Sequence, residues 1–227
     1  MSIFKHVKSG KRFLFIHIPR TSGRFIEQNL EAQGWKWEPI DKNIKLTRRE
    51  NLDGPNGMYD SVEGTEIAHF HKKLYEKYLD GENIPHISII RNPIDRFISA
   101  SIFLTRYYHN LYDKSYEEIQ EEAENFFSSS LSFQQIDPRF PESVSWYRPQ
   151  IDFISDKTHI WKFENGMGNK FSKWISDIVG VDIKMDPNLK SWADFPSKQL
   201  KKTNALIANL KIFYKKDFSK FYQNLDE

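Results

Sequence analysis

The 227-residue chain contains no cysteine, which excludes disulfides and thiolate metal ligands and suits a reducing compartment. Long hydrophobic runs are also missing. The apolar stretches Phe13 to Ile18 and Ile87 to Ile90 are of strand length and the mean hydropathy is −0.65, so no membrane-spanning helix is expected. Residues 1–8 lack the apolar stretch of a signal peptide, and a cytoplasmic location is the expectation. Charge of one sign is not in excess. With 33 basic and 31 acidic residues the net charge is +2, which argues against general nucleic-acid binding, so any anion preference must come from local clustering. No Pro/Ser/Gly-rich linker, repeat or low-complexity tract divides the chain. It therefore reads as a single domain over residues 1–227, with enough apolar content to bury a core.

The most informative stretch runs from Arg12 to Ile26. An apolar run that reads as a buried strand breaks at Pro19, passes a short turn carrying Arg20, Thr21, Ser22 and Gly23, and re-enters an apolar pattern at helical spacing through Phe25, Ile26 and Leu30 up to Gly34. A helix N-terminus presents unpaired N–H groups and the positive end of its dipole. Arg20, Thr21, Ser22 and Arg24 add charge and hydroxyl donors, so the turn is a candidate phosphate or sulfate site. The same layout returns at Pro85 to Ile90, followed by the turn Arg91-Asn92-Pro93-Ile94-Asp95-Arg96 and a helix from about Ile94 to Tyr108. Two strand–turn–helix units predict an α/β fold with a central parallel sheet flanked by helices.

Further elements are expected around these. A strand is predicted to end near Ala68 and a short helix to reach Leu79, whereas 35–64 reads as loop or short strands. Ser115 with Glu118 three residues on is a capping box for a helix to Phe127. Residues 128–148 read as a long loop. A strand over Thr158 to Phe163 precedes a helix closed by Gly180, and a last helix starts at Ser197 and runs to Phe213 or Phe221.

The first turn is not a Walker A loop, since it holds one glycine and no lysine. His17-Ile18-Pro19-Arg20-Thr21-Ser22-Gly23 together with Arg91-Asn92-Pro93-Ile94-Asp95-Arg96-Phe97-Ile98-Ser99 instead resembles the two cofactor motifs of the sulfotransferases, in particular the carbohydrate sulfotransferases of the Golgi and their bacterial relatives. Weaker echoes follow in the family's order at Arg148-Pro149-Gln150-Ile151-Asp152-Phe153, Trp161-Lys162-Phe163-Glu164-Asn165 and Tyr214-Lys215-Lys216-Asp217-Phe218. The resemblance implies a P-loop-like sheet and transfer of a sulfuryl group from 3′-phosphoadenosine 5′-phosphosulfate to a hydroxyl, that of a carbohydrate, with no metal. It implies that Arg20, Thr21, Ser22, Gly23, Arg24 and Phe25 hold the 5′-phosphosulfate and that Arg91 and Ser99 hold the 3′-phosphate. The chain departs from the family pattern at three places: Arg20 stands for a lysine, Ser22 for a glycine and Arg24 for a threonine. Arg20 can still neutralise charge on the leaving oxygen, but it cannot give up a proton near neutral pH.

The acceptor hydroxyl needs a base, and His69, followed by Phe70, falls where related enzymes carry theirs; His71 is the second choice. An imidazole of pKa near 6.5 accepts a proton at neutral pH. His17, inside an apolar strand, reads as a satisfied core histidine. Arg96 reads equally as an ion-pair partner or a further phosphate ligand. Aromatics such as Trp146 and Tyr147 read as core or loop anchors, with sugar stacking as the functional alternative. Two rival readings remain: a nucleotide- or glycan-binding protein without turnover, and a P-loop-type kinase, which needs a Walker lysine and a magnesium carboxylate.

Overall fold

The computed structural model describes residues 2–38, 40, 61–62, 65–79, 83–103, 115–125, 146–189 and 200–223. Its main sheet has five strands: β1 (Ser2–His6), β2 (Arg12–Ile16), β3 (Trp35–Glu38), a fourth at His86–Ile90 and a fifth at Thr158–Lys162. A separate two-stranded hairpin, β4 (Ser61–Val62) and β5 (Thr65–Glu66), lies between them in the chain, so the last two sheet strands are β6 and β7. The order across the sheet is β3-β1-β2-β6-β7.

The sheet is mixed, which corrects the expected parallel sheet. β2, β6 and β7 are parallel, with Leu14 opposite His86 and Ile90 opposite Lys162. β1 is antiparallel to both β2 and β3. The reason is the connection: only Val7 to Lys11 separate β1 from β2, and a link that short can make a hairpin but no crossover. Gly10, at φ +69°, takes the left-handed position of that turn, and its N–H donates to the His6 carbonyl at 2.9 Å. The strand expected near Ala68 is the β4–β5 hairpin, followed by a 3₁₀ turn over Ile67–His69, and it does not join the main sheet.

Helices cover both faces. They are α1 (Gly23–Ala32), α2 (Lys72–Tyr75), α3 (Pro93–Phe103), α4 (Tyr116–Asn125), α5 (Asn169–Val179), α6 (Asn204–Phe213) and α7 (Lys215–Phe221). The unbroken apolar run of β2 is explained by this double cover. Phe13 and Phe15 join a cluster with Ile26 and Leu30 of α1 and Phe171 and Ile175 of α5, whereas Leu14 and Ile16 join Phe70, Leu74, Phe153 and Phe221 on the opposite face. Side chains alternate between faces, so a strand buried on both sides reads as continuously hydrophobic. Each fully buried Phe or Leu there contributes roughly 1.5–3 kcal/mol.

Local stop and start signals act as their chemistry requires. Asn92 Oδ1 accepts the N–H of Ile94 at 3.0 Å, capping α3 behind Pro93. Ser115 and Glu118 form the reciprocal capping box at the start of α4 (2.7 and 3.2 Å). Gly34 (φ +82°) and Gly180 (φ +73°) close α1 and α5. The last helical segment begins at Asn204, where the Thr203 hydroxyl caps it, and is interrupted at Tyr214. The expected start at Ser197, the tail of the α3 prediction and the 128–145 loop lie outside the described residues.

Candidate functional site

The chain leaves β2 through α1 toward β3 on one side of the sheet, and after β6 it reaches β7 on the other. The direction of winding therefore reverses between β2 and β6, and the turns after these two adjacent parallel strands lie at their C-terminal ends, where sheets of this kind bind ligands.

The first turn is tightly built. The Thr21 hydroxyl, fully buried, donates to the Ile18 carbonyl at 2.8 Å and closes the turn on itself. Arg20 and Ser22 both adopt positive φ, +67° and +72°, a conformation that costs a non-glycine residue energy and that clusters where backbone is arranged for binding. Ser22 is the N-cap position of α1, so the first N–H groups of the helix lie at the end of the sheet where β2 stops. Gly23 is required for another reason: a Cβ there would overlap the His17 ring. That imidazole is itself held, with Nδ1 2.9 Å from Oε1 of the fully buried Glu27, whose other oxygen lies 3.5 Å from Arg24.

The second turn meets the first. Arg20 Nε donates to Ser99 Oγ at 3.0 Å, Arg91 Nη1 approaches the Arg20 carbonyl at 3.4 Å, and the Arg20 guanidinium lies 4.5 Å above the Phe103 ring. Arg20 and Arg91 from the two turns and Ser99 from α3, more than seventy residues beyond Arg20, thus form one cluster. Burial, and then the neighbouring Arg91 charge, bring the Arg20 pKa down to about 10, and burial lowers that of Arg91. Carboxylates stand near as well: Asp95 and Glu164 both favour the charged form of Arg91. Both guanidiniums stay protonated at neutral pH, so two partly desolvated cations stand side by side in a cradle suited to an anion.

The predicted ligands differ in placement. Arg24 turns back to Glu27, and Phe25 packs against the core face of α1. Thr21 spends its hydroxyl on the turn. His69, 3% exposed, stands edge-to-face with His17 at 4.9 Å and with Trp146 at 5.1 Å, and Trp146 stacks on Phe103 at 4.7 Å. A chain of ring contacts therefore runs from His69 to the ring beneath Arg20. His71 has different surroundings: burial first, and then Arg148, Lys73 and Lys77, depress its pKa to about 4. His17 is buried and its pKa falls to about 4, mainly by desolvation and against the pull of Glu27.

Arg96 is a structural group. Fully buried, it donates to the carbonyls of Trp146 (2.9 Å) and Arg148 (2.6 Å) and lies over the Tyr214 ring, tying the 146–148 segment to α3 and α6. The three weaker echoes converge here too. Gln150 bonds the Arg91 backbone, Asp217 accepts from the N–H groups of Gln150 (2.8 Å) and Ile151 (2.9 Å), and Glu164 accepts from the Asn92 N–H. Glu27 was not anticipated; its one signal is a carboxylate on the apolar face between Ile26 and Leu30.

No family model matches this chain, and no curated protein or solved structure matches it either. Among the described residues no helix is long and apolar enough to cross a membrane.

Proposed function

We propose that the protein is a sulfotransferase that moves a sulfuryl group from 3′-phosphoadenosine 5′-phosphosulfate to a hydroxyl, in keeping with the resemblance of its two turns to the motifs of that family. The observation that carries the reading is the meeting of Arg20, Ser99 and Arg91 at the C-terminal ends of two adjacent parallel strands. Two neighbouring guanidiniums and a hydroxyl, backed by a helix N-terminus whose first residue must be glycine, fit a ligand with phosphate groups at two positions.

Such chemistry asks the protein for positioning and charge stabilisation rather than covalent participation. The donor would supply an activated sulfuryl group on a phosphate leaving oxygen. Arg20 would carry positive charge beside that oxygen, and the first N–H groups of α1 would add partial positive charge. Arg91 and Ser99 would hold the 3′-phosphate. His69 would take the proton from the acceptor oxygen as it bonds to sulfur, and the phosphate end would depart with the electron pair of the broken S–O bond. His69 is favoured over His71 because it contacts the ring network around the first turn, whereas His71 faces three cations that oppose its protonation. The acceptor class, a carbohydrate hydroxyl, rests on the family resemblance.

Isothermal titration with 3′-phosphoadenosine 5′-phosphate and with ATP tests the reading. Binding of the former at micromolar concentration, with ATP at least tenfold weaker, is the expected result. No binding of 3′-phosphoadenosine 5′-phosphate overturns it. Transfer of radiolabelled sulfate to a panel of glycans then separates an enzyme from a binding protein.

A further inference from the structure

Arg91 emerges from the end of β6, where an arginine side chain has many rotamers open to it, yet its main chain is gripped from the side. Gln150 Oε1 accepts the Arg91 N–H at 2.9 Å and Gln150 Nε2 donates to the Arg91 carbonyl at 2.8 Å. A primary amide is a side-chain group that carries a donor and an acceptor side by side, so it can satisfy both polar groups of one residue at once. The amide is in turn oriented. Asp217 of α7, fully buried, accepts the Gln150 N–H, and its Oδ2 lies 3.5 Å from Gln150 Nε2, so the NH₂ end is kept on the carboxylate side and the oxygen toward the Arg91 N–H. The guanidinium is held as well, 4.8 Å above the Phe163 ring and against the Arg20 carbonyl. Arg91 is thus fixed through its backbone by the 150–152 turn and α7, some sixty and more than a hundred residues along the chain.

We infer that Gln150 is a positioning residue for Arg91 and thereby sets the selectivity of the pocket for a nucleotide with a 3′-phosphate; this rests on the proposed function, which assigns that phosphate to Arg91. An arginine fixed in advance loses little freedom when it pairs with phosphate, and a misdirected one loses the two-point contact that distinguishes it from a solvated charge. Gln150 itself need not touch the ligand. Its loss should therefore affect ligands that carry the 3′-phosphate and spare those that lack it.

The test compares titrations of 3′-phosphoadenosine 5′-phosphate and of adenosine 5′-phosphate into the wild-type chain, Gln150→Met and Asp217→Asn, with a thermal melt of each. For Gln150→Met the bisphosphate is expected to bind about tenfold more weakly and the monophosphate within about twofold of wild type. Asp217→Asn should change the ratio in the same direction and less. Retained selectivity in a folded variant overturns the inference, and so does an equal loss for both nucleotides, which marks a general structural role. If Gln150→Met gives no cooperative melt, Asp217→Asn decides on the same criteria, and the wild-type Arg91 amide provides an independent readout by hydrogen exchange: slow exchange is expected, and exchange at the unprotected rate overturns the inference. A wild-type chain that does not distinguish the two nucleotides overturns the sulfotransferase reading instead, while the exchange measurement still reports on the clamp.

Discussion

Replacing Gly23 with alanine tests how the turn after β2 is built. Gly23 sits at the first position of α1 and its φ is not in the left-handed region, so alanine fits the backbone and in a helix gains about 0.5–1 kcal/mol over glycine. Against this stands the overlap of the new Cβ with Nε2, Cδ2 and Cε1 of His17, more than about 1 Å inside ordinary contact. The ring has little room to retreat. Its Nδ1 is 2.9 Å from Glu27, the His69 ring lies edge-on at 4.9 Å, and the Phe15 ring is stacked at 5.8 Å. Overpacking of this kind costs about 1–3 kcal/mol, and pushing the imidazole off the buried Glu27 adds part of the 3–5 kcal/mol of a broken buried pair. The clash wins: Gly23→Ala should destabilise by about 3 kcal/mol, out of a typical total of about 5–15 kcal/mol. His17→Ala should cost a similar amount through the cavity and the lost Glu27 contact. In the double variant the clash is gone, so it should cost no more than His17→Ala alone, a coupling of about 3 kcal/mol. Urea unfolding of the four proteins measures this. If the two single effects add to within about 0.5 kcal/mol, the His17 ring does not support the turn and the argument is refuted.

His69→Ala should keep the affinity for 3′-phosphoadenosine 5′-phosphate within about twofold and lower sulfate transfer by 100-fold or more, as expected for removal of a general base; full activity in the variant would put the base elsewhere. Acidification should weaken the fold. His17 and His71 are held down to about 4 in the folded protein against about 6.5 when unfolded, so the unfolded chain takes up protons first and stability is lost as pH falls through the window between these values. The loss is on the order of 2 kcal/mol per imidazole between pH 7 and 5, and His71→Gln should remove about half of it in urea melts at the two values. Arg96→Met should cost about 3–5 kcal/mol, because it strips donors from the buried carbonyls of Trp146 and Arg148 and leaves buried Asp217 without that cation, and a thermal shift of only a degree or two would argue against it.

Much of the site was legible because its signals are local. Pro19 and Gly23 end a strand and open a helix whatever lies around them, Asn92-Pro93 caps α3 through its own side chain, and the Ser115–Glu118 box spans one turn. Neither β1 nor its direction was anticipated, although the Ser9-Gly10 turn between two β-forming runs is a hairpin signal. β3 falls in the stretch read as loop or short strands, because four residues, Trp35 to Glu38, carry too little pattern to separate the two. The strand expected at Ala68 arose from an apolar run too short to distinguish a sheet strand from a 3₁₀ turn after a small hairpin.

By itself the sequence determined where strands give way to helices and which turns carry cations and hydroxyls, since each is set by neighbours within a few residues. Only the tertiary structure decided what those turns become together. The contact between Arg20 and Ser99 spans 79 residues, Gln150 reaches Arg91 across 59, and Asp217 reaches Gln150 across 67. Such pairings depend on strand order and on which helices cover which face. A buried Arg96, a glycine forced by an imidazole and a glutamine clamped on one backbone residue have no local signature, because the physical reason for each lies in the residue it meets across the fold.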